Sequence, residues 1–454
     1  MSALLQRARG FASDRLLRRV VRNSTYLFAS NVIGAVLTIA TAGLLGVQAF
    51  GVLGIITNFV SNVNRLLSFR MGDVVVRYMG QALAQDQPDK LRAAAVVKAA
   101  GLVEALTSLA AFGVLALLAP LGAAYNAKDA ALTPLFLLFG VSILANLASE
   151  TATGVLQVTG HFRSQALINL AQSVLVAAWI ALAALRGGGL FEVLLAYLAG
   201  KIILGLGPVL VALYWLPKAL GAAWWRAPLA LLPPWKEFVW FGIHTNFSGT
   251  INVFARDSEV QWVGFFFGPT VSGYYKVALA LINLVVMPIN PFISTTYPEI
   301  TRAFAARQWQ RVRDLLRRVT IISGGWTAAV GLGLLLIGQP LLFSDWNLFG
   351  RTFHIYRPEY LPAFPVLLVL LAGYGTANTL FWNRPLLLAQ GLAGYALRVS
   401  FAAMALKVAL ALVLLPRTGY LAEAAILSGY FILSVGWMTW RGLRGLRQAE
   451  AAHV

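Results

Sequence analysis

Seven basic residues stand inside stretches of the chain that are otherwise apolar: Arg65, Arg70, Lys201, Arg256, Lys276, Arg384 and Lys407. If those stretches cross a membrane, a charge at mid-bilayer costs about 2.5–3.5 kcal/mol even on a lenient scale, so it faces a water-filled cavity or a partner. The acids weighed against them are Asp73, Glu104, Glu150, Asp257 and Glu423, too few to neutralise all seven. The surplus predicts a cationic cavity that receives an anion. Arg65 and Arg256, nearest mid-span, lead as anion contacts, followed by Lys276 and Lys407. Lys276 also stands early enough in its span to reach the outer surface. Arg70 and Arg384 lie near an inner end, where long side chains extend to headgroups, and Lys201 has the alternative of pairing with a carboxylate. Asp73 precedes Arg77 by four residues, a structural pair on one helix face. Glu104, Glu150, Asp257 and Glu423 remain as candidates for ion coupling or counter-charge.

Polar residues recur at helical spacing beside these charges. Asn58, Ser61, Asn62, Arg65 and Asp73 share one face, and Ser142, Asn146, Glu150, Thr153 and Gln157 share another. His244, Ser248, Asn252 and Arg256 are each four apart, and Lys276, Asn283, Asn290, Ser294 and Tyr297 form a fourth row. A lipid-facing helix does not hold such rows. For single Ser or Thr residues, hydrogen bonding between helices is the simpler reading. For the rows that carry Arg, Lys or Glu, a wet cavity is favoured, lined by Asn58, Asn62, Asn146, Glu150, Asn252, Asn283 and Asn290.

The elements that must position these residues are membrane helices. Hydrophobic residues make up 59% of the 454 and charged residues 12%, about half of the roughly 25% usual in soluble domains. Apolar runs long enough for a core of about 30 Å recur throughout. Twelve are predicted, at 25–46, 51–76, 95–119, 132–157, 164–185, 191–215, 239–266, 270–296, 317–338, 361–388, 397–416 and 419–440, the seventh and tenth being the most polar. The predicted class is an all-α integral membrane protein.

Basic residues set the orientation. With the N-terminus inside, the inner segments hold 24 of the 36 and the outer loops hold 5: Lys128, Arg186, Arg351, Arg357 and Arg417. Both termini are therefore expected in the cytoplasm. The net charge of +19 is absorbed by this asymmetry, so no nucleic-acid partner is expected. Residues 1–24 read as a basic amphipathic segment on the inner leaflet, without a cleavable secretory signal.

The chain also repeats itself. GVQAFG at 46–51 is echoed by GPTVSG at 268–273, RYMGQALAQDQPDKLR at 77–92 by TYPEITRAFAARQWQR at 296–311, and Gly160 aligns with Gly391. The repeat predicts two six-helix lobes, 25–216 and 237–440, joined by an interfacial connector at 217–236 and followed by a basic tail at 441–454. Six is even, so both lobes enter the membrane from the same side, related by a pseudo-two-fold axis along its normal.

No cysteine is present, which excludes disulfide and thiol chemistry. The four histidines are dispersed without metal-ligand spacing, and no phosphate-binding loop occurs. No catalytic residue, metal or cofactor is expected.

These motifs carry a resemblance that covers nearly the whole chain. G-x4-G at 46–51, RYMGQALA at 77–84, the L-Q-x-x-G-x-F run at 156–162 and DSEVQWVGFFFGPTVSGYY at 257–275 resemble the oligosaccharide flippases of the polysaccharide transporter family. That family belongs to the multidrug/oligosaccharidyl-lipid/polysaccharide exporter superfamily. The resemblance implies two lobes, a cationic central cavity, and a lipid-linked oligosaccharide on a polyprenyl pyrophosphate carrier. Such cargo moves from the inner to the outer leaflet by alternating access, in the bacterial inner membrane. It further implies membrane lipids as partners and a polysaccharide polymerase as a candidate one. A multidrug cation antiporter of the same superfamily is the nearest alternative and would favour an acidic cavity. A membrane glycosyltransferase or polymerase would need catalytic acids on sizeable outer loops.

Overall fold

The computed structural model describes residues 15–84, 86–232, 234–348 and 351–451, without the side chains of 15–28, 235, 239, 244, 245, 248, 291, 294, 347, 348 and 351–353. Most of the basic segment expected at 1–24 lies outside that range, as do the side chains of His244, Ser248 and Ser294.

Helices account for nearly all of it, and ten segments are long and apolar enough to cross a membrane. The chain is a multi-pass membrane protein. The sequence predicts twelve spans, and two local features explain the difference. The predicted first and second spans run together as α1 (Arg15–Leu67), broken only at Gly46, where φ is 74° and ψ 171°. The predicted seventh span divides into α8 (Trp235–Asn252), a π turn at Val253–Asp257 and α9 (Glu259–Phe267), and is not among the ten. Its row of polar residues keeps its hydropathy low. Among the described residues the β structure is one antiparallel pair, β1 (Trp346–Leu348) and β2 (Arg351–Phe353).

Side chains such as Leu117, Leu185 and Leu336 are largely exposed on these helices. In water such a surface would aggregate; in a bilayer it is the expected lipid face.

The repeated corners share a backbone geometry. Gly268, between α9 and α10 (Pro269–Val286), has φ 85° and ψ −176°, close to Gly46. Gly160 and Gly391 also match, at φ 77° and 74°. An L-residue pays roughly 1–2 kcal/mol to enter the left-handed region, so glycine is retained at both copies of each corner.

The helices gather in two compact units. The first comprises residues 15–40, 60–120 and 132–249 of the described chain. It contains both ends of α1, α2 (Gly72–Leu83), α3 (Lys90–Leu121, all but its last residue), α4 (Thr133–Ala145), α5 (Ser149–Val158), α6 (Phe162–Leu185), α7 (Leu190–Leu220) and most of α8. Its core joins Val74, Val75 and Tyr78 of α2 to Ala93, Ala94 and Val96 of α3 and Val155 of α5. Small residues suit this, because helices in lipid associate by close packing rather than by expelling water.

The second unit comprises residues 41–59, 121–131 and 250–451. It contains α9, α10, α11 (Asn290–Ala305), α12 (Trp309–Gly333), α13 (Gln339–Phe343), α14 (Ala363–Thr379), α15 (Asn383–Ala389), α16 (Ala393–Leu414) and α17 (Leu421–Ala451). The two G-x4-G corners meet inside it. A Cβ on Gly51 would lie 1.8 Å from the Pro269 carbonyl oxygen, and one on Gly273 would lie 2.4 Å from that of Val47. Each corner thus seats its closing glycine on the backbone of the other.

Candidate functional site

The first unit holds a polar pocket of about 240 Å³. Arg65 and Arg70 reach it from the end of α1 and the turn that follows, and Lys201 from α7. Opposite them stand Ser142 and Asn146 on α4 and its C-terminal turn, with Ser149 and Glu150 at the start of α5. The predicted fourth span is therefore not continuous. It stops at Ala145 and restarts at Ser149, which aims the first turn of α5 at the pocket.

Glu104, from the buried face of α3, makes that break tolerable. One oxygen accepts the Glu150 N–H at 2.9 Å, and the other accepts the Thr151 N–H at 2.8 Å and its hydroxyl at 2.6 Å. A helix start leaves its first N–H groups without partners, and an anion there also meets the positive end of the helix dipole. Glu104 thus receives the start of α5, a contact its sequence position did not show. Glu150 is held by Arg70, with Nη2 at 2.7 Å and Nε at 2.9 Å from the same oxygen. Both are part-exposed, which limits the pair to about 0–1 kcal/mol. Asn246 of α8 fixes the turn by accepting the Arg70 N–H at 2.8 Å.

Three basic side chains and two carboxylates line the pocket, so it is formally positive. Arg65 and Lys201 are near enough to repel each other. Asn64, which also lines it, has a buried Oδ1 that accepts no hydrogen bond among the described residues. With Arg70 held by Glu150, the fork-shaped Arg65 guanidinium beside the Lys201 ammonium suits a phosphate or carboxylate.

The second unit treats its charges differently. Lys407 of α16 is sealed from solvent, paired with Glu259 of α9 and lying 3.3 Å from Glu423 in the first turn of α17. Expected on a cationic path, it instead sits among carboxylates with no measurable exposure. Glu259 was not among the acids weighed from the sequence; the signal was there, a Glu two residues after Asp257 opening an apolar run. Beside the cluster, the Tyr275 hydroxyl donates to the Tyr420 carbonyl and accepts the Ala424 N–H at 2.8 Å, tying α10 to the start of α17.

The comparisons agree with this architecture. The family model described as polysaccharide biosynthesis protein matches residues 16–304. The chain belongs to that family. Inner membrane protein YghQ of Escherichia coli K12 is 24% identical over an alignment of 350 residues that covers 73% of this chain and 93% of YghQ. Among solved structures, an inward-facing multidrug resistance MATE family transporter of the MOP superfamily superposes with a TM-score of 0.70 at 13% identity, covering 94% of this chain and 96% of its own. The lipid II flippase MurJ, in an inward closed conformation, gives 0.69 at 13% identity over 95% and 90%. At that identity the likeness establishes the fold.

Within the family fold the remaining candidates fall as follows. Arg256 lies on the π turn, its Nε 3.6 Å from Asp257 Oδ1; such turns are frequent at functional sites. The Lys276 ammonium stands 4.2 Å from the ring centre of Phe50, a cation–π contact in place of the expected reach to the surface. Arg384, Asn283 and Asn290 are exposed, and Asn62 is buried. Asn58 donates to the Gly54 carbonyl one turn back at 3.2 Å, and Asn252 is half-buried at the end of α8. Among the described residues no group of three His, Cys, Asp or Glu side chains is placed to hold a metal.

Proposed function

We propose that this protein is a flippase carrying a lipid-linked oligosaccharide on a polyprenyl pyrophosphate carrier across the bacterial inner membrane, by alternating access. The observation that carries the reading is the positive pocket of the first unit. Its two carboxylates are engaged by the start of α5 and by Arg70, which leaves the pocket suited to an anionic headgroup. An unpaired hydroxyl in hydrocarbon costs several kcal/mol, so a sugar chain needs a polar path. Ser61, Ser142, Asn146 and Ser149 supply hydrogen-bonding groups in this pocket. The family's role in polysaccharide biosynthesis supplies the setting.

The multidrug reading is favoured by the MATE likeness but meets a pocket of the wrong sign for a cation. For energy coupling we propose the sealed Glu259–Lys407–Glu423 cluster. Two carboxylates against one ammonium leave an imbalance that a proton or a monovalent cation relieves, and low-dielectric burial makes imbalance expensive.

The test is a deletion strain together with reconstituted protein. Without the gene, fully assembled lipid-linked glycan accumulates in the inner leaflet; with purified protein in vesicles, a fluorescent lipid-linked glycan changes leaflet. Arg65→Ala abolishes export while the protein still inserts, and Arg65→Lys recovers only part, lacking the two-pronged donor. Incomplete glycan in the deletion strain would point to an enzyme instead, and unchanged glycan with drug sensitivity to an efflux pump.

A further inference from the structure

The second unit also carries a largely apolar groove of about 900 Å³ between α16 and α17; Lys407, its ammonium paired with Glu259, lines it with Tyr430 and Ser434. Its walls are matched stripes, Leu406, Leu410 and Leu414 on one helix and Ile426, Gly429 and Leu433 on the other. Gly429 keeps the floor open, since a Cβ there would meet nothing within 4 Å. Leu414 and Ala422 line one end, and Tyr395, Arg398 and Trp437 line the other.

We propose that this groove binds the isoprenoid chain of a polyprenyl phosphate, with the phosphate at the Arg398 end. The inference rests on the flippase reading only in the choice of a carrier lipid. The groove's dimensions and charge make the case. From Tyr395 to Leu414 is nineteen steps along α16, about 28 Å at the helical rise of about 1.5 Å. The hydrocarbon core is about 30 Å thick, so one leaflet offers about 15 Å. An ordinary acyl chain covers half of such a groove; a polyprenyl chain covers all of it. Inside a bilayer no hydrophobic term prefers one apolar chain to another, so selection must come from length and headgroup.

The headgroup end is built for an anion. Arg398 is exposed there, its Nε 3.4 Å from the Gly394 carbonyl. Arg441 stands 5.8 Å from the Tyr395 ring centre, and the Trp437 indole N–H donates to the Tyr395 hydroxyl. Amphipathic aromatics with arginines mark a membrane–water interface, where basic side chains between helices hold lipid phosphates.

The experiment places a benzophenone-bearing residue at Leu410 in full-length protein, reconstituted in phosphatidylethanolamine–phosphatidylglycerol vesicles with labelled polyprenyl phosphate. Photocapture is expected, reduced about tenfold by excess unlabelled polyprenyl phosphate but not by more phosphatidylglycerol. Gly429→Trp, which fills the groove, lowers capture by a similar factor without moving the thermal midpoint, and Arg398→Ala lowers it severalfold. Equal competition by phosphatidylglycerol would overturn the proposal, showing a site for ordinary bilayer lipid. Capture that persists at full strength in Gly429→Trp would overturn it too. The two readings fail separately: capture without glycan movement counts against the flippase, and glycan movement without capture counts against the groove.

Discussion

Lys407 Nζ lies 3.3 Å from Glu423 Oε1, and neither side chain is reached by solvent. With Glu259 also paired to it, the lysine holds two carboxylates inside the second unit. Lys407→Met should therefore cost about 3–5 kcal/mol, the penalty for stranding buried charge, seen as a large drop in thermal midpoint in detergent. Adding Glu259→Gln and Glu423→Gln to the same chain should restore most of it, because the charges are then removed together. A single variant as stable as the parent would show that the ion pairs do not form.

The glycine contacts of the two corners make a sharper steric prediction. Gly51→Ala places a methyl group 1.8 Å from the Pro269 oxygen, and Gly273→Ala one 2.4 Å from that of Val47. Neither backbone oxygen can yield as a flexible side chain would, so each variant should lose at least about 1–3 kcal/mol, the usual cost of overpacking. Gly436→Ala, on an open helix face, is the control and should be neutral or slightly stabilising. Thermal unfolding of the three variants side by side decides it.

Glu104 was a candidate for ion coupling, yet its oxygens accept from Glu150 and Thr151. Glu104→Gln should lower stability by about 1–3 kcal/mol through weakened acceptance at a buried helix start. The ion dependence of transport should be unchanged in the protein that folds. Loss of ion dependence at full stability would instead make Glu104 a coupling residue.

Orientation can be tested directly, since the chain has no cysteine of its own. Ala84→Cys and Ala306→Cys, both exposed, should react with an impermeant maleimide only once the inner face is opened. Ser344→Cys, also exposed, should react in intact cells. Labelling of position 84 from outside would reverse the topology.

Local chemistry along the chain dictates the membrane class and the positions of the corners. Those features are local. An apolar run, a four-residue spacing, or a glycine at Gly46, Gly160, Gly268 or Gly391 acts through its own backbone and its immediate solvent. Tertiary structure decided what each charge does. Arg65, Arg70 and Lys201 meet in one pocket because α1 and α7 pack around the broken α4–α5 helix. That break depends on Glu104 arriving from a different helix, 46 residues away along the chain. Lys407 shows the same limit more plainly. Its partner Glu259 is 148 residues distant, so nothing in its own apolar run distinguishes a lysine that faces water from one sealed against a carboxylate. A charge inside a membrane reads as a need for a partner, and only the packing of distant helices supplies it.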